Sequence, residues 1–166
     1  MHLRAAILEE HSRKQMLRIV DYVGNDKARF KSLMHLFLHD EYRVSQRAAW
    51  AVSNCIQQHP ELAKKYLPIL LDNLKNPVHN AVIRNTIRIL DMVEIPKKLH
   101  AQVINICYEY VAGRSTPIAV KAFSLSVLHK LSKIYPELKT ELKSLIEDQL
   151  PTATAAFKSK AKKIKL

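Results

Sequence analysis

The sequence predicts an all-α chain, an α-α superhelix of about four helix pairs plus an N-terminal helix. Three observations predict it. Four segments share a small or apolar residue, two spacers and a cation, and the cations Arg47, Arg84, Lys121 and Lys158 recur every 37 residues. A fixed period of this size marks a helical-repeat array. A second landmark, Pro60, Pro96 and Pro136, opens apolar stretches at a similar spacing, and proline suits a helix start, where its missing N–H is not needed. Glycine is the third: there are only 2, where average usage of roughly 7% would give about a dozen. So little glycine leaves few tight turns of positive φ and argues against β-sandwiches, dinucleotide folds and phosphate loops.

The elements follow in order. Residues 1–24 read as one N-terminal helix over 2–23, stopped by Gly24-Asn25, with Ile7, Leu8, Leu17, Val20 and Val23 loosely on one side. The first repeat, 25–59, pairs a helix over 26–39 with one over 42–59. Phe30, Leu33, Met34, Phe37 and Leu38 mark the first packed face, and Val44, Ala48, Ala51, Val52 and Cys55 the second. The second repeat, 60–95, pairs 61–75 with 78–93 across Asn76-Pro77. Its first face is broad: Leu62, Tyr66, Leu67, Leu70, Leu71 and Leu74.

The third repeat, 96–135, pairs 97–112 with 117–135. Leu99, Val103, Ile106, Cys107, Tyr110 and Val111 pack, and Tyr108 and Tyr110 divide between buried and exposed. Gly113 suits a helix end, and Ser115-Thr116-Pro117 a new start. The fourth, 136–166, pairs 137–150 with a last helix from Thr152 that frays into lysines. Leu138, Leu142, Leu145 and Ile146 pack there. The whole of 1–166 is expected to form one repeat domain, because each pair buries little alone and stacking supplies the core.

Charge sets the partner classes. Formal net charge is +12, which favours anionic partners at encounter without fixing the fold. Five of the 27 cations are lysines in the last 16 residues, which hold no acid. Cys55 and Cys107 sit in apolar helical patterns with no CxxC, as reduced thiols of a cytoplasmic protein do. Residues 1–24 hold charges throughout and no apolar core of a secretory leader. No apolar run reaches the length of a membrane span.

The segment Asp40-Glu-Tyr-Arg-Val44-Ser-Gln-Arg47-Ala48-Ala49-Trp50-Ala51-Val52 resembles the second helix of a HEAT repeat, within the HEAT/armadillo superfamily: a turn acid, a valine and basic residue, then spaced small residues. The resemblance covers roughly 25–160. It implies an α-solenoid with second helices on the concave side. It also implies a structural role for the ladder Arg47, Arg84, Lys121 and Lys158, in which turn acids such as Asp40 and Asp72 bond second-helix cations. The other reading of the ladder is a cationic stripe for an acidic surface or a phosphate backbone.

Other candidates are fewer. Trp50, one turn after Arg47, is the candidate aromatic contact, as packing or as a stacking platform. Lys160, Lys162, Lys163 and Lys165 continue from Lys158 as a basic tail, either a solvated cap or an anchor for anions. His35 and His39 have metal spacing, but no HExxH or cysteine cluster joins them, so no metal site is expected. Glu9-Glu10-His11 reads as a solvated helix face. No phosphate loop, nucleophile elbow or catalytic carboxylate motif is present, so no catalytic residue and no cofactor is assigned.

The expected function is a non-enzymatic scaffold that binds a protein or peptide on its concave face. The alternative is a nucleic-acid-binding protein, similar in architecture to the HEAT-like DNA alkylation-repair glycosylases. That resemblance implies a basic groove with aromatic and acidic residues, and only the basic bias is evident. Weak, non-specific nucleic-acid association at low salt follows from charge alone. A third reading is a helper subunit within a larger assembly.

Overall fold

A computed structural model describes residues 1–164. Helix covers 77% of the described residues, and no strand occurs among them. None of the described helices is long and apolar enough to cross a membrane. The chain divides into two compact units, Met1–Val93 and Glu94–Leu166.

The first unit begins with two helices where one was expected: α1 (Leu3–Glu9) and α2 (Arg13–Val23). The break has a local cause. The Ser12 hydroxyl accepts from the Gln15 N–H at 3.1 Å and starts α2, as an N-cap does. Gln15 then folds back, and its Nε2 donates to Ala6 O at 2.6 Å and to Glu9 Oε2 at 3.1 Å. The restart shifts the packed face. Met16 and Ile19 are buried, while Leu17, expected inside, is 37% exposed. Helix α2 ends at Gly24, whose φ of +49° is the positive-φ turn among the described residues.

Helix α3 (Lys27–His39) is capped by Asp26, which accepts from the Ala28 and Arg29 N–H groups. It buries Phe30, Leu33, Met34 and Phe37. Helix α4 (Tyr42–Gln58) buries Val44, Ala48, Ala49, Ala51, Val52, Ser53, Cys55 and Ile56. So many small residues let α4 pack against α1, α2, α3 and α6 (Asn80–Met92) together.

The first helix of the second repeat is shorter than the expected 61–75. A 3₁₀ turn at Pro60–Leu62 precedes α5 (Leu67–Asn73). Pro68 explains the restart: it lies in the first turn of α5, where no N–H is required, and it would break a helix arriving from Glu61. Leu62, Leu67, Leu70 and Leu71 are buried as expected, while Tyr66 and Leu74 are half-buried.

In the second unit a 3₁₀ turn (Lys97–Leu99) leads into α7 (His100–Ala112), paired with α8 (Ile118–Ser132). His100 pins this pair. Its Nε2 lies 2.7 Å from Ile95 O, so it carries the proton, and Nδ1 accepts from the Tyr135 hydroxyl at 3.0 Å. Val103, Cys107 and Val111 are buried, but Ile106 is half-buried. Tyr108 and Tyr110 are both half-buried, so the expected division between them does not occur.

Gly113 closes α7 at φ −61°, so left-handed backbone is not its reason. Space is: a Cβ there would stand 2.5 Å from Thr116 Oγ1. Helix α9 (Leu138–Gln149), a 3₁₀ turn (Leu150–Thr152) and α10 (Ala155–Lys163) complete the unit. Helix α10 packs against α8 and buries Phe157 and Ala161, and Ile164 just past its end is buried too.

Candidate functional site

On α4, residues 47, 50, 54 and 57 share one side by helical spacing. Arg47 turns toward α1. Its Nη1 donates to Leu8 O at 3.0 Å and to Ile7 O at 3.3 Å. These are last-turn carbonyls, which a helix leaves without partners and at its negative end. Trp50 is half-buried, with the His11 ring edge-on at 5.9 Å.

Helix α6 lies beside α4. Ser53 Oγ donates to Asn85 Oδ1 at 2.8 Å in the buried seam, and Asn85 Nδ2 donates to Ala81 O at 2.8 Å. Above the seam Arg88 reaches across: Nη2 donates to Gln57 Oε1 at 2.7 Å and Nη1 to Ser53 Oγ at 3.3 Å. Arg84, one turn earlier on the same side, is exposed and makes no hydrogen bond or ion pair among the described residues. Arg47, Trp50, Gln57, Arg84 and Arg88 thus form one cationic strip with an aromatic in it. Sequence reasoning missed Arg88. Its signal was present: Arg84 and Arg88 are i and i+4.

Asp40 does not bond the ladder in the expected way. Asp40 takes the Arg4 guanidinium in a fork, with Nε at 3.0 Å and Nη2 at 3.2 Å. The Arg4 hydrogen bond holds the Asp40 carboxyl below its ordinary range, against some burial. Asp72 takes Lys75 Nζ at 2.7 Å. The partners of Arg47 are carbonyls, not carboxylates.

In the second unit the two ladder positions differ from each other. Lys121 is half-buried, and its Nζ donates to Gln149 Oε1 at 2.7 Å. Burial lowers its pKa. Lys158, Lys162 and Lys163 are exposed, Lys160 is half-buried, and Lys165 lies outside the described residues. His129, on α8, has its pKa lowered by burial first and then by the charges of Lys133, Lys139 and Lys160.

The His35 and His39 rings sit 5.2 Å apart, and no group of three or more metal-ligating side chains occurs among the described residues. Glu9 accepts from Gln15 and Arg18. Cys55 and Cys107 are buried, and burial pushes the Cys55 thiol up to about 12, which keeps it a thiol rather than a nucleophilic thiolate.

A family model described as HEAT repeat domain matches residues 3–165. The match takes in α1 and α2, ahead of the expected first repeat. No curated protein and no solved structure matches the chain.

Proposed function

The chain belongs to the HEAT repeat family, and from that premise we propose that it is a non-enzymatic scaffold that holds an acidic protein or peptide segment. The segment lies on the second-helix face of the first unit, the side such repeats turn inward. One observation carries this reading: the strip on α4 and α6 has Arg84 exposed, Arg88 fixed by Gln57 and Ser53, and Trp50 half-exposed between cations. Preformed cations beside an aromatic suit a carboxylate-bearing chain, since guanidinium forks accept carboxylates bidentately and fixed donors lose little entropy on binding. The remaining ladder positions are proposed to serve their own unit rather than this segment.

A second reading rests on the exposed lysines of α10, which suit a nucleic-acid backbone. The two separate in one experiment. Partners are captured on the full chain, with and without nuclease, and compared with capture on R84E/R88E and on K158Q/K162Q/K163Q. The scaffold reading expects a nuclease-resistant partner that R84E/R88E loses and the lysine variant keeps. Capture that vanishes with nuclease, or that ignores R84E/R88E, sinks it.

A further inference from the structure

A cavity of about 740 Å³ opens in the second unit. Its walls come from four places in the chain. The α7–α8 turn supplies Arg114 and Thr116, α8 supplies Lys121, the end of α9 supplies Gln149, and the start of α10 supplies Thr154 and Phe157. The volume lies within the range of small-molecule pockets. Both polar and apolar groups line it, with Ile118 43% exposed on its wall.

Lys121 is the informative residue. Gln149 orients its ammonium at 2.7 Å but is neutral, so it supplies no countercharge. Its ammonium is partly withdrawn from water, and burial lowers its pKa with no carboxylate raising it. Asp148 also lines the cavity, but it makes no ion pair with Lys121 or Arg114 among the described residues. A partly buried cation with only a neutral partner is stabilised by an anion brought to it. Two of the three ammonium donors are left for that purpose. Arg114 stands exposed at the same cavity with a planar fork, which suits an oxyanion. The Thr154 oxygen already accepts from the Phe157 N–H at 3.4 Å, leaving its O–H as a donor.

We propose that this cavity is a binding site for a small oxyanion-bearing molecule, whose phosphate or carboxylate is held by Lys121 and Arg114. Ile118 and Phe157 contact the rest of the molecule. Asp148 limits the class. The lining carries two cations and one acid, so it suits a single anionic head on a small body and disfavours a polyanion. The site is independent of the strip on α4 and α6 and does not rest on its reading.

The test titrates the ¹⁵N-labelled full chain at fixed ionic strength with inorganic phosphate, glycerol phosphate and butyrate. The expected result is saturable amide shifts at Thr116, Lys121, Gln149 and Thr154 with at least one probe. K121M and R114Q each weaken that binding about tenfold or more, as loss of a charge-assisted contact does, while R84Q leaves it unchanged. D148N tightens it. Saturation by the phosphates alone assigns a phosphate head, and saturation by butyrate alone a carboxylate head. Shifts that never saturate with any probe, or an R114Q chain that binds like the parent, overturn the proposal. Arg114 is exposed, so R114Q decides the matter even if K121M fails to fold.

Discussion

Arg47 and Arg84 occupy the same register position, yet their surroundings differ. Arg47 bonds two last-turn carbonyls of α1, and Arg84 bonds nothing among the described residues. Arg47→Ala is expected to lower stability by about 1 kcal/mol, the usual worth of such a bond. Arg84→Ala is expected to stay within about 0.5 kcal/mol, as surface changes do. Paired urea melts check both, and an Arg84→Ala chain that unfolds much earlier contradicts the assignment. His129 adds a pH dependence. Its lowered pKa means the unfolded chain binds the proton more readily, so stability falls as pH drops through 6.5 toward the folded value. Asp26 and Asp40 are held low in the fold, so their contribution is present above their ordinary 3.8 and is lost further down. Melting His129→Gln between pH 7 and pH 2 should show the upper limb flattened and the acid limb intact. An unchanged upper limb would place the titration elsewhere.

Elements were legible in the sequence where one period ran uninterrupted, and misread where a local hydrogen bond or a proline intervened. Helices α3, α4 and α6 match their expected spans closely, because their apolar positions recur without a competing signal. The single N-terminal helix was wrong because Ser12 and Gln15, three apart, carry the N-terminal signature that apolar counting ignores. Pro68 shortened α5 in the same way. Ladder partners were not legible at all, since a cation's choice between a carboxylate and a carbonyl depends on which helix end lies opposite. Ser12→Ala should destabilise by about 1 kcal/mol, as loss of an N-cap does, and should raise amide exchange at Gln15 more than at α3. Equal exchange at both would deny Ser12 the capping role.

Across the molecule, the basic C-terminal helix proves to be a packing element as well as a charge carrier. Phe157, Ala161 and Ile164 are buried, so removing residues 152–166 strips apolar cover from the second unit. Phe157→Ala should therefore cost about 3–5 kcal/mol. K158Q/K162Q/K163Q should leave melting unchanged and weaken low-salt association with duplex DNA, which arises from phosphate neutralisation. Thermal melts and a salt series on the two variants separate packing from charge. A Phe157→Ala chain as stable as the parent would return α10 to the role of a solvated tail. Far-UV circular dichroism of the full chain should read close to the 77% helix of the fold; a value near a third would refute it.

Helix α1 is seven residues long and is held at both ends from elsewhere: Arg4 by Asp40, and its last carbonyls by Arg47. A helix this short does not persist alone in water. Both of its anchors lie about 40 residues downstream, so they leave the ribosome well after it does. During synthesis α1 thus emerges well before it sets, and Leu3, Ala6 and Ile7 are only partly covered, by α2 and α3, until α4 emerges. Chains stalled with α1 outside the exit tunnel and α4 still inside it should be cut by protease within residues 3–9, and chains stalled once α4 has cleared the tunnel should resist the same cut.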